Sequence, residues 1–318
     1  MHGPLAFLRE NRQAVETALA ARDLTPQVLT QSSERMPQVP SASVHLVVTS
    51  PPYPLIGMWD AQLAQQTGVE DVASPQGFAA SHALLARAWA ECHRTLVPGG
   101  ILAVNVGDAT RAVGGDFQCV MNHVQVTRDC EALGFQSLVP ILWKKPTNKP
   151  NAFLGSGFLP PNAYVTLDCE HVLLFRKGGA RKLPPKDALR GASQFSKAER
   201  DAWFSQVWDV RGASQDTDGT APFPLEIPYR LVRMFSCLGE TVLDPFAGTG
   251  TTLSVARALG RRALGCEINE ALGLAKRVPA TAAGAAQVLD ALDAHYARTE
   301  GALEKPNEAA TRFIAAVP

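Results

Sequence analysis

Paired cysteines are missing from this 318-residue chain. Cys92, Cys119, Cys130, Cys169, Cys237 and Cys266 are scattered, with no C-x-x-C pair and no Cys/His ligand spacing. That excludes a disulfide framework and a zinc site and leaves buried free thiols as the default, with no metal expected. Long apolar runs are absent too: no window approaches the ~18 residues of a membrane span. The first thirty residues hold no lysine-led apolar core and no small-residue cleavage site, so the chain is expected in the cytoplasm, away from membranes. An overall charge of one sign is also lacking, since 30 basic residues balance 30 acidic ones.

What is present is a chain with 46% apolar residues and a mean hydropathy of -0.03, enough for one large core or two modest ones. The balanced charge is unevenly distributed. Residues 1–140 carry 8 basic and 12 acidic side chains, residues 141–200 carry 11 and 4, and residues 201–318 carry 11 and 14. The positive charge therefore sits in one central block.

Apolar periodicity predicts an opening amphipathic helix over 5–22, helices over 79–97 and 117–133, and an alanine-rich helix followed by a loose tail after Lys276. Seven strand candidates lie at 27–31, 44–50, 101–108, 137–145, 170–177, 240–244 and 261–269. Strands alternating with helices in this way imply an open, mostly parallel α/β sheet. Residues 178–222 differ in kind, being rich in Gly, Pro, Lys, Arg, Ser and Gln with Trp203 and Trp208 among them, and read as an insert or small lobe. Core residues of that lobe are the expected role for both tryptophans.

The segment "LDPFAGTGTT", residues 243–252, follows a strand and opens a helix. Gly248 and Gly250 there would let a ligand approach backbone that a Cβ would block. A phosphate-binding loop needs a lysine after its glycines, and none follows. A dinucleotide fingerprint needs a third glycine where this chain has Leu253. A third reading is an adenosyl ligand without phosphate, held by Asp244 and the turn, its ribose hydroxyls reaching Glu267 at the end of the next strand; taken alone, the motif also fits a purely structural turn.

A second signal is "VHLVVTSPPYP", residues 44–54, where a buried strand ends against prolines. Pro51 and Pro52 terminate the ladder, but they also fix φ, so the Ser50 hydroxyl and nearby carbonyls point in set directions while Tyr53 offers a flat face. Such a pocket suits a planar ring bearing an exocyclic amine: oxygens accept the N–H bonds and the tyrosine stacks. Acceptors so placed help draw the amine nitrogen toward tetrahedral geometry.

Together, "TSPPYP" at 49–54 and "DPFAGTGTT" at 244–252 resemble the S-adenosylmethionine-dependent amino-methyltransferases of DNA, in the permuted beta arrangement that places the catalytic half first. Further segments match in the same order: "CHRTLVPGGILAVNVGD", "ILWKKPTN", "EHVLLFRKG", "VWDV" and "APFPLEIPYRLVRMFS". The resemblance runs from about residue 27 to 277. It implies a class I methyltransferase-like, doubly wound, mostly parallel seven-stranded sheet with one antiparallel strand, entered in the chain order 3, 4, 5, 6, 7, 1, 2. It implies a catalytic half over 1–177, a target-recognition insert over 178–222, a cofactor-binding half over 223–280 and a helical tail over 281–318.

By the same resemblance the cofactor falls to Asp244, Pro245, Phe246, Gly248, Gly250, Thr251 and Glu267, with Phe223 closing over it, and to Gln31 and Ser32. Gln31 departs from the pattern, which usually has an acid there; an amide can still hydrogen-bond adenine. The target amine falls to Ser50, Pro51, Pro52 and Tyr53. Ring-carbon methylation of cytosine uses a cysteine after a proline, which this chain lacks. Members with Ser at the position of Ser50 mostly act on cytosine N4, so N4 is expected and adenine N6 is the alternative. An inactive nucleic-acid binding module, and an RNA or small-amine methylase, are the competing classes.

The expected partner is duplex DNA, with S-adenosylhomocysteine as the cofactor's product. A flipped base requires a grip on the backbone, for which Lys144, Lys145, Lys149, Arg176, Lys177, Arg181 and Lys182 are the candidates. A homodimer and a linked restriction endonuclease stay open.

Overall fold

Strands that are apolar at successive positions must be covered on both faces, and the sheet is built that way. The computed structural model describes residues 12–20, 22–113, 116–145, 165–183, 186–211 and 223–303. Among them are β1 (Gln27–Thr30), β2 (Val44–Thr49), β3 (Leu96–Val106), β4 (Ala109–Val113), β5 (Asp116–Val120), β6 (Phe135–Ser137), β7 (Ile141–Lys144), β8 (Cys169–Lys177), β9 (Val207–Asp209), β10 (Thr241–Asp244) and β11 (Arg262–Glu267). The main sheet runs β1, β11, β10, β2, β3, β8, β7, β9, and β6 also pairs with β8. Pairs from β1 to β3 are parallel, β8 opposes β3, β6 and β7, and β9 follows β7. All seven expected strands are in this sheet, and β8 alone runs against the rest.

Successive residues divide between two cores. Leu46, Val48, Ile101, Ala103 and Val242 face one side, whereas Val47, Leu102, Val104 and Leu243 face the other. The second side is covered by α3 (Pro75–Thr95) through Leu84, Leu85, Trp89 and Cys92, and by α4 (Asn122–Ala132), the first two helices being α1 (Arg12–Leu19) and α2 (Asp60–Thr67). Ser74 accepts from Gly77 N at 3.0 Å and Pro75 occupies the first turn, so α3 begins before the apolar periodicity does. In the region 186–235 lie α5 (Ala188–Ala192), α6 (Lys197–Trp203) and α7 (Glu226–Phe235). The first side is covered by α7 and by α8 (Thr251–Ala258), with Ile227, Leu231, Leu253 and Val255 fully buried. Each such side chain contributes roughly 1.5–3 kcal/mol by leaving water. After α9 (Leu274–Arg277), the alanine-rich α10 (Ala282–Leu303) packs on α8 through Leu292, as the composition suggested. Among the described residues no helix is long and apolar enough to cross a membrane.

Three local expectations change. Residues 117–120 are strand, not helix: β4 and β5 pair as a hairpin flanking Gly114-Gly115, a turn signal in the sequence that the helical reading passed over. The expected strand over 137–145 is two pieces, β6 and β7, separated by a stretch containing Pro140, which has no N–H for the ladder. The described part of the expected insert does not stand apart. β9 extends the main sheet beside β7, and Trp203 and Trp208 are buried in the principal core with Trp143, Ile227 and Tyr229. Arg233 of α7, fully buried, reaches Glu199 of α6 at 3.3 Å, tying that segment to the helices that cover the sheet.

Trp208→Ala should therefore lower stability by about 3–5 kcal/mol and shift one cooperative urea transition. An early, separate transition that left the main one unmoved would show an independent lobe instead.

Candidate active site

At the carboxyl ends of β2 and β10, the Thr49 hydroxyl donates to Asp244 Oδ1 at 2.7 Å, and Phe246 N donates to the same oxygen at 3.1 Å. Parallel pairing of Val242 and Leu243 with Leu46 and Val47 sets these ends side by side. The two motif segments, far apart in sequence, thus share one mouth. Burial dominates the Asp244 carboxyl and raises it to about 6, against the opposing bonds from Thr49 and Phe246.

One cavity at this mouth encloses about 200 Å³ and is lined by Gln31, Ser32, Ser50, Pro52, Trp59, Phe223, Asp244, Pro245, Phe246, Gly248, Thr251 and Glu267, among others. The expected cofactor residues therefore converge, with one exception. Gly250 does not line the cavity; at φ +88° it turns toward the protein, and a Cβ there would lie 2.6 Å from Leu274 Cδ1 and 2.8 Å from Val278 Cγ2. Its glycine requirement comes from packing of the helix start, not from a ligand. Gly248 is the opposite case: at φ +52°, its nearest neighbour to a built Cβ is Phe246 O at 4.0 Å, so its bare side faces open space. Glu267 Oε2 accepts from Gly248 N and Oε1 from Asn269 N, both at 2.8 Å. Gln31 donates to Arg35 O at 3.1 Å and accepts from Gln38 at 2.9 Å, so its amide is oriented before any ligand arrives.

Among the described residues, two carboxylates line this cavity and no lysine or arginine does. Such a lining disfavours phosphate and favours a ligand carrying positive charge near an adenosyl-sized body. Cys266 lines it as well, but burial pushes its thiol up to about 12, so it is no nucleophile.

A second cavity, about 500 Å³, shares Ser50, Trp59 and Phe223 with the first and adds Pro51, Tyr53, Asn105, Asp108, Trp143, Lys145 and Glu170. Tyr53 reaches Ser50 Oγ at 2.8 Å and Glu170 Oε2 at 3.1 Å. Asn105 Nδ2 donates to the Tyr53 hydroxyl and to Glu170 Oε2, both at 2.6 Å, and Lys145 closes the network as an ion pair with the other Glu170 oxygen. Burial, then the neighbouring Glu170 charge, push the Tyr53 phenol well above its usual range, so it stays protonated. Gly107 makes room for the ring: a Cβ there would lie 3.2 Å from Tyr53 Cε2. Asn122 holds the approach by donating to Pro54 O at 2.9 Å and Gly107 O at 3.0 Å.

Sequence reasoning missed Trp59, Asn105, Asp108 and Glu170. Asn105, Asp108 and Glu170 lie within quoted segments, but on or just after strands whose neighbour relation no spacing reveals.

The basic block divides. Lys144 and Lys145 are at the mouth end of β7, Lys144 exposed and Lys145 committed to Glu170 and 4.7 Å above the Trp143 ring. Lys149 lies outside the described residues. Because β8 is antiparallel, Arg176 and Lys177 are at the opposite edge of the sheet, where Arg176 pairs in register with Ile101. Arg176 donates to Gly178 O and Gln136, Lys177 donates to Leu96 O at 2.7 Å beyond the end of α3, and Arg181 pairs with Glu240 at 2.7 Å. Lys182 is exposed beside Arg181. These four do not join the mouth, and three are structural ties.

A family model described as DNA methylase matches residues 44–275. The type II methyltransferase M.MjaI of Methanocaldococcus jannaschii is 50% identical over 260 residues, 76% of this chain and 86% of that protein. M.MthZI of Methanothermobacter thermautotrophicus is 39% identical over 77% of this chain and 73% of its own length. TTHA0409 of Thermus thermophilus, complexed with S-adenosyl-L-methionine, superposes with a TM-score of 0.64 at 36% identity, covering 80% of this chain and 97% of that one. The cytosine-N4-specific PvuII DNA methyltransferase shares the fold at a TM-score of 0.58 and 17% identity, over 84% of this chain and 94% of that one.

The raised Asp244 carboxyl has a measurable consequence. The folded protein keeps this proton up to about pH 6, whereas the unfolded chain releases it near 3.8. Stability of the ligand-free protein should therefore fall, by a few kcal/mol at most, as pH rises from about 4 through about 6. Urea midpoints of Asp244→Asn should lack that fall; an unchanged pH dependence would show that another group causes it.

Proposed function

This chain belongs to the N6/N4 DNA methylase family, and on that premise we propose that it transfers the methyl group of S-adenosylmethionine to the exocyclic N4 amine of a cytosine extruded from duplex DNA. One observation carries the reading: a carboxylate-lined cavity at the glycine turn opens beside a second cavity walled by Ser50 and Tyr53, with Ser50, Trp59 and Phe223 common to both.

The residues fit the cofactor. Gly248 leaves a bare approach, Glu267 offers oxygens suited to ribose hydroxyls, Asp244 supplies negative charge, and Phe223 and Phe246 supply apolar wall. The cofactor brings an electrophilic methyl on a sulfonium. The protein's own part is positioning: Ser50 and adjacent carbonyls accept from the amine, Pro51 and Pro52 hold them still, and Tyr53 presents its ring to the base. Exclusion of bulk water by Trp59 and Phe223 strengthens these interactions. Catalytic half first and glycine turn second is the permuted beta order. Ser50 favours cytosine over adenine on the family pattern, and adenine N6 is the alternative reading.

Extruding a base costs a few kcal/mol, so the mouth needs cations to hold phosphates. Lys144 is suited to that by its place and exposure, and Lys149 is assigned the same task. Residues 178–222 are proposed as the target-recognition segment.

Ser50→Ala and Tyr53→Ala should cut turnover by about 100-fold or more with little change in cofactor affinity by calorimetry. Glu267→Ala should weaken cofactor binding first. Equal losses of cofactor affinity in all three would contradict these roles. Nucleoside mass spectrometry after one incubation with labelled cofactor and unmethylated duplex DNA decides the base: N4-methylcytosine is expected, N6-methyladenine would favour the alternative, and no product would favour an inactive binding module.

A further inference from the structure

The hydrogen-bond network around Tyr53 has a forced direction. Both protons of the Asn105 amide are committed, one to Tyr53 and one to Glu170. Lys145 donates to the other Glu170 oxygen. A phenol has one proton, and that of Tyr53 goes to Glu170 Oε2 at 3.1 Å. The 2.8 Å contact between Ser50 Oγ and Tyr53 therefore requires Ser50 to donate. With its proton engaged, Ser50 turns only lone pairs to the cavity, which is what an incoming amine N–H needs.

The chain Ser50, Tyr53, Glu170 is thus a row of hydrogen bonds all pointing at one carboxylate. Resting on the function proposed above, we propose that Glu170 is the final proton acceptor of methyl transfer, working through Tyr53 and Ser50. As the amine lone pair forms the N–CH3 bond, the S–CH3 bond breaks and its electron pair stays on sulfur. The amine's surplus proton passes to Ser50 Oγ, the Ser50 proton to the Tyr53 oxygen, and the Tyr53 proton to Glu170 Oε2. A carboxylate becomes a carboxylic acid, every other group regains its starting form, and no co-reactant is needed. Glu170 is 13% exposed, enough for later release of the proton through the cavity mouth. It acts through other groups and is a positioning and proton-storing residue. The ionisable groups lining the same cavity are Lys145 from the end of β7, Tyr53 after β2, Asp108 after β3, Asp168 before β8 and Cys169 at its start.

Glu170→Gln tests this, because glutamine keeps the size and can accept from Tyr53 and Asn105 but cannot store the proton. Single-turnover methyl transfer to unmethylated duplex DNA is measured between about pH 5 and about pH 9 for the wild type, Glu170→Gln, Tyr53→Phe and the double variant. The wild-type rate should fall on the acid side. Glu170→Gln should slow transfer by about 100-fold and lose that acid limb. Tyr53→Phe, which keeps the stacking ring and is less disruptive to folding, should behave alike, and the double variant should be no slower than either single. Infrared titration of the ligand-free protein gives a readout independent of turnover: a carboxylic-acid band missing in Glu170→Gln should shift in frequency in Tyr53→Phe. Wild-type rate and acid limb retained in Glu170→Gln, or an unshifted band in Tyr53→Phe, would overturn the relay alone. A wild type that binds cofactor and methylates nothing would overturn the functional reading and the relay with it.

Discussion

A buried hydrogen bond between Thr49 and Asp244 carries the architecture of the mouth, because it joins the two chain segments that the chemistry requires to be neighbours. Both side chains are almost wholly withdrawn from water, so each needs the other as a partner. The bond exists only in one register of β2 against β10. A slip of one residue would turn Thr49 to the other face of the sheet, send Val48 and Val47 to the wrong cores and take from the Asp244 carboxylate its hydroxyl donor, leaving it the Phe246 amide. The apolar alternation of the central strands and the placement of the site are thus one constraint seen from two ends. Asp244 is costly in isolation, as its raised carboxyl shows, and the cavity beside it is where a cationic ligand would offset that cost.

Much of this was legible beforehand, for identifiable reasons. A strand buried on both faces announces itself as a short apolar run, and a ligand-binding glycine turn between strand and helix has few sequence disguises. Hence the central strands and the convergence of Asp244, Gly248 and Glu267 follow from the chain's own pattern, while the single reversed strand and the place of Gln31 came from the family resemblance. The Ser50–Tyr53–Asn105–Glu170–Lys145 network did not, because its members come from the ends of β2, β3, β7 and β8 and meet only after those strands are ordered laterally. Gly250 misled for a related reason: a glycine that spares a ligand and a glycine that spares a neighbouring helix look identical in sequence.

The basic block shows how composition can mislead about place. Counting charges over sixty residues treats them as one patch, but a nine-residue antiparallel strand carries its two ends roughly 30 Å apart. Glu170 at its start belongs to the mouth, while Lys177 at its end donates to His93 O and Arg94 O in the last turn of α3, a favourable place for a cation. Arg181 is similarly occupied by Glu240. Among the described residues, the exposed cation of the block on the side where β7 ends is Lys144.

Glu267 is already clamped before any ligand enters, each carboxylate oxygen gripped by a backbone amide. A free glutamate gives up as much as about 1.5–2 kcal/mol of rotamer freedom when immobilised. Here that loss was incurred during folding, so a guest meeting these oxygens has no acid to freeze and no amide to displace unless it moves Gly248 itself. Association at this corner should accordingly resemble a key entering a set lock, with no rearrangement of the acid to wait for.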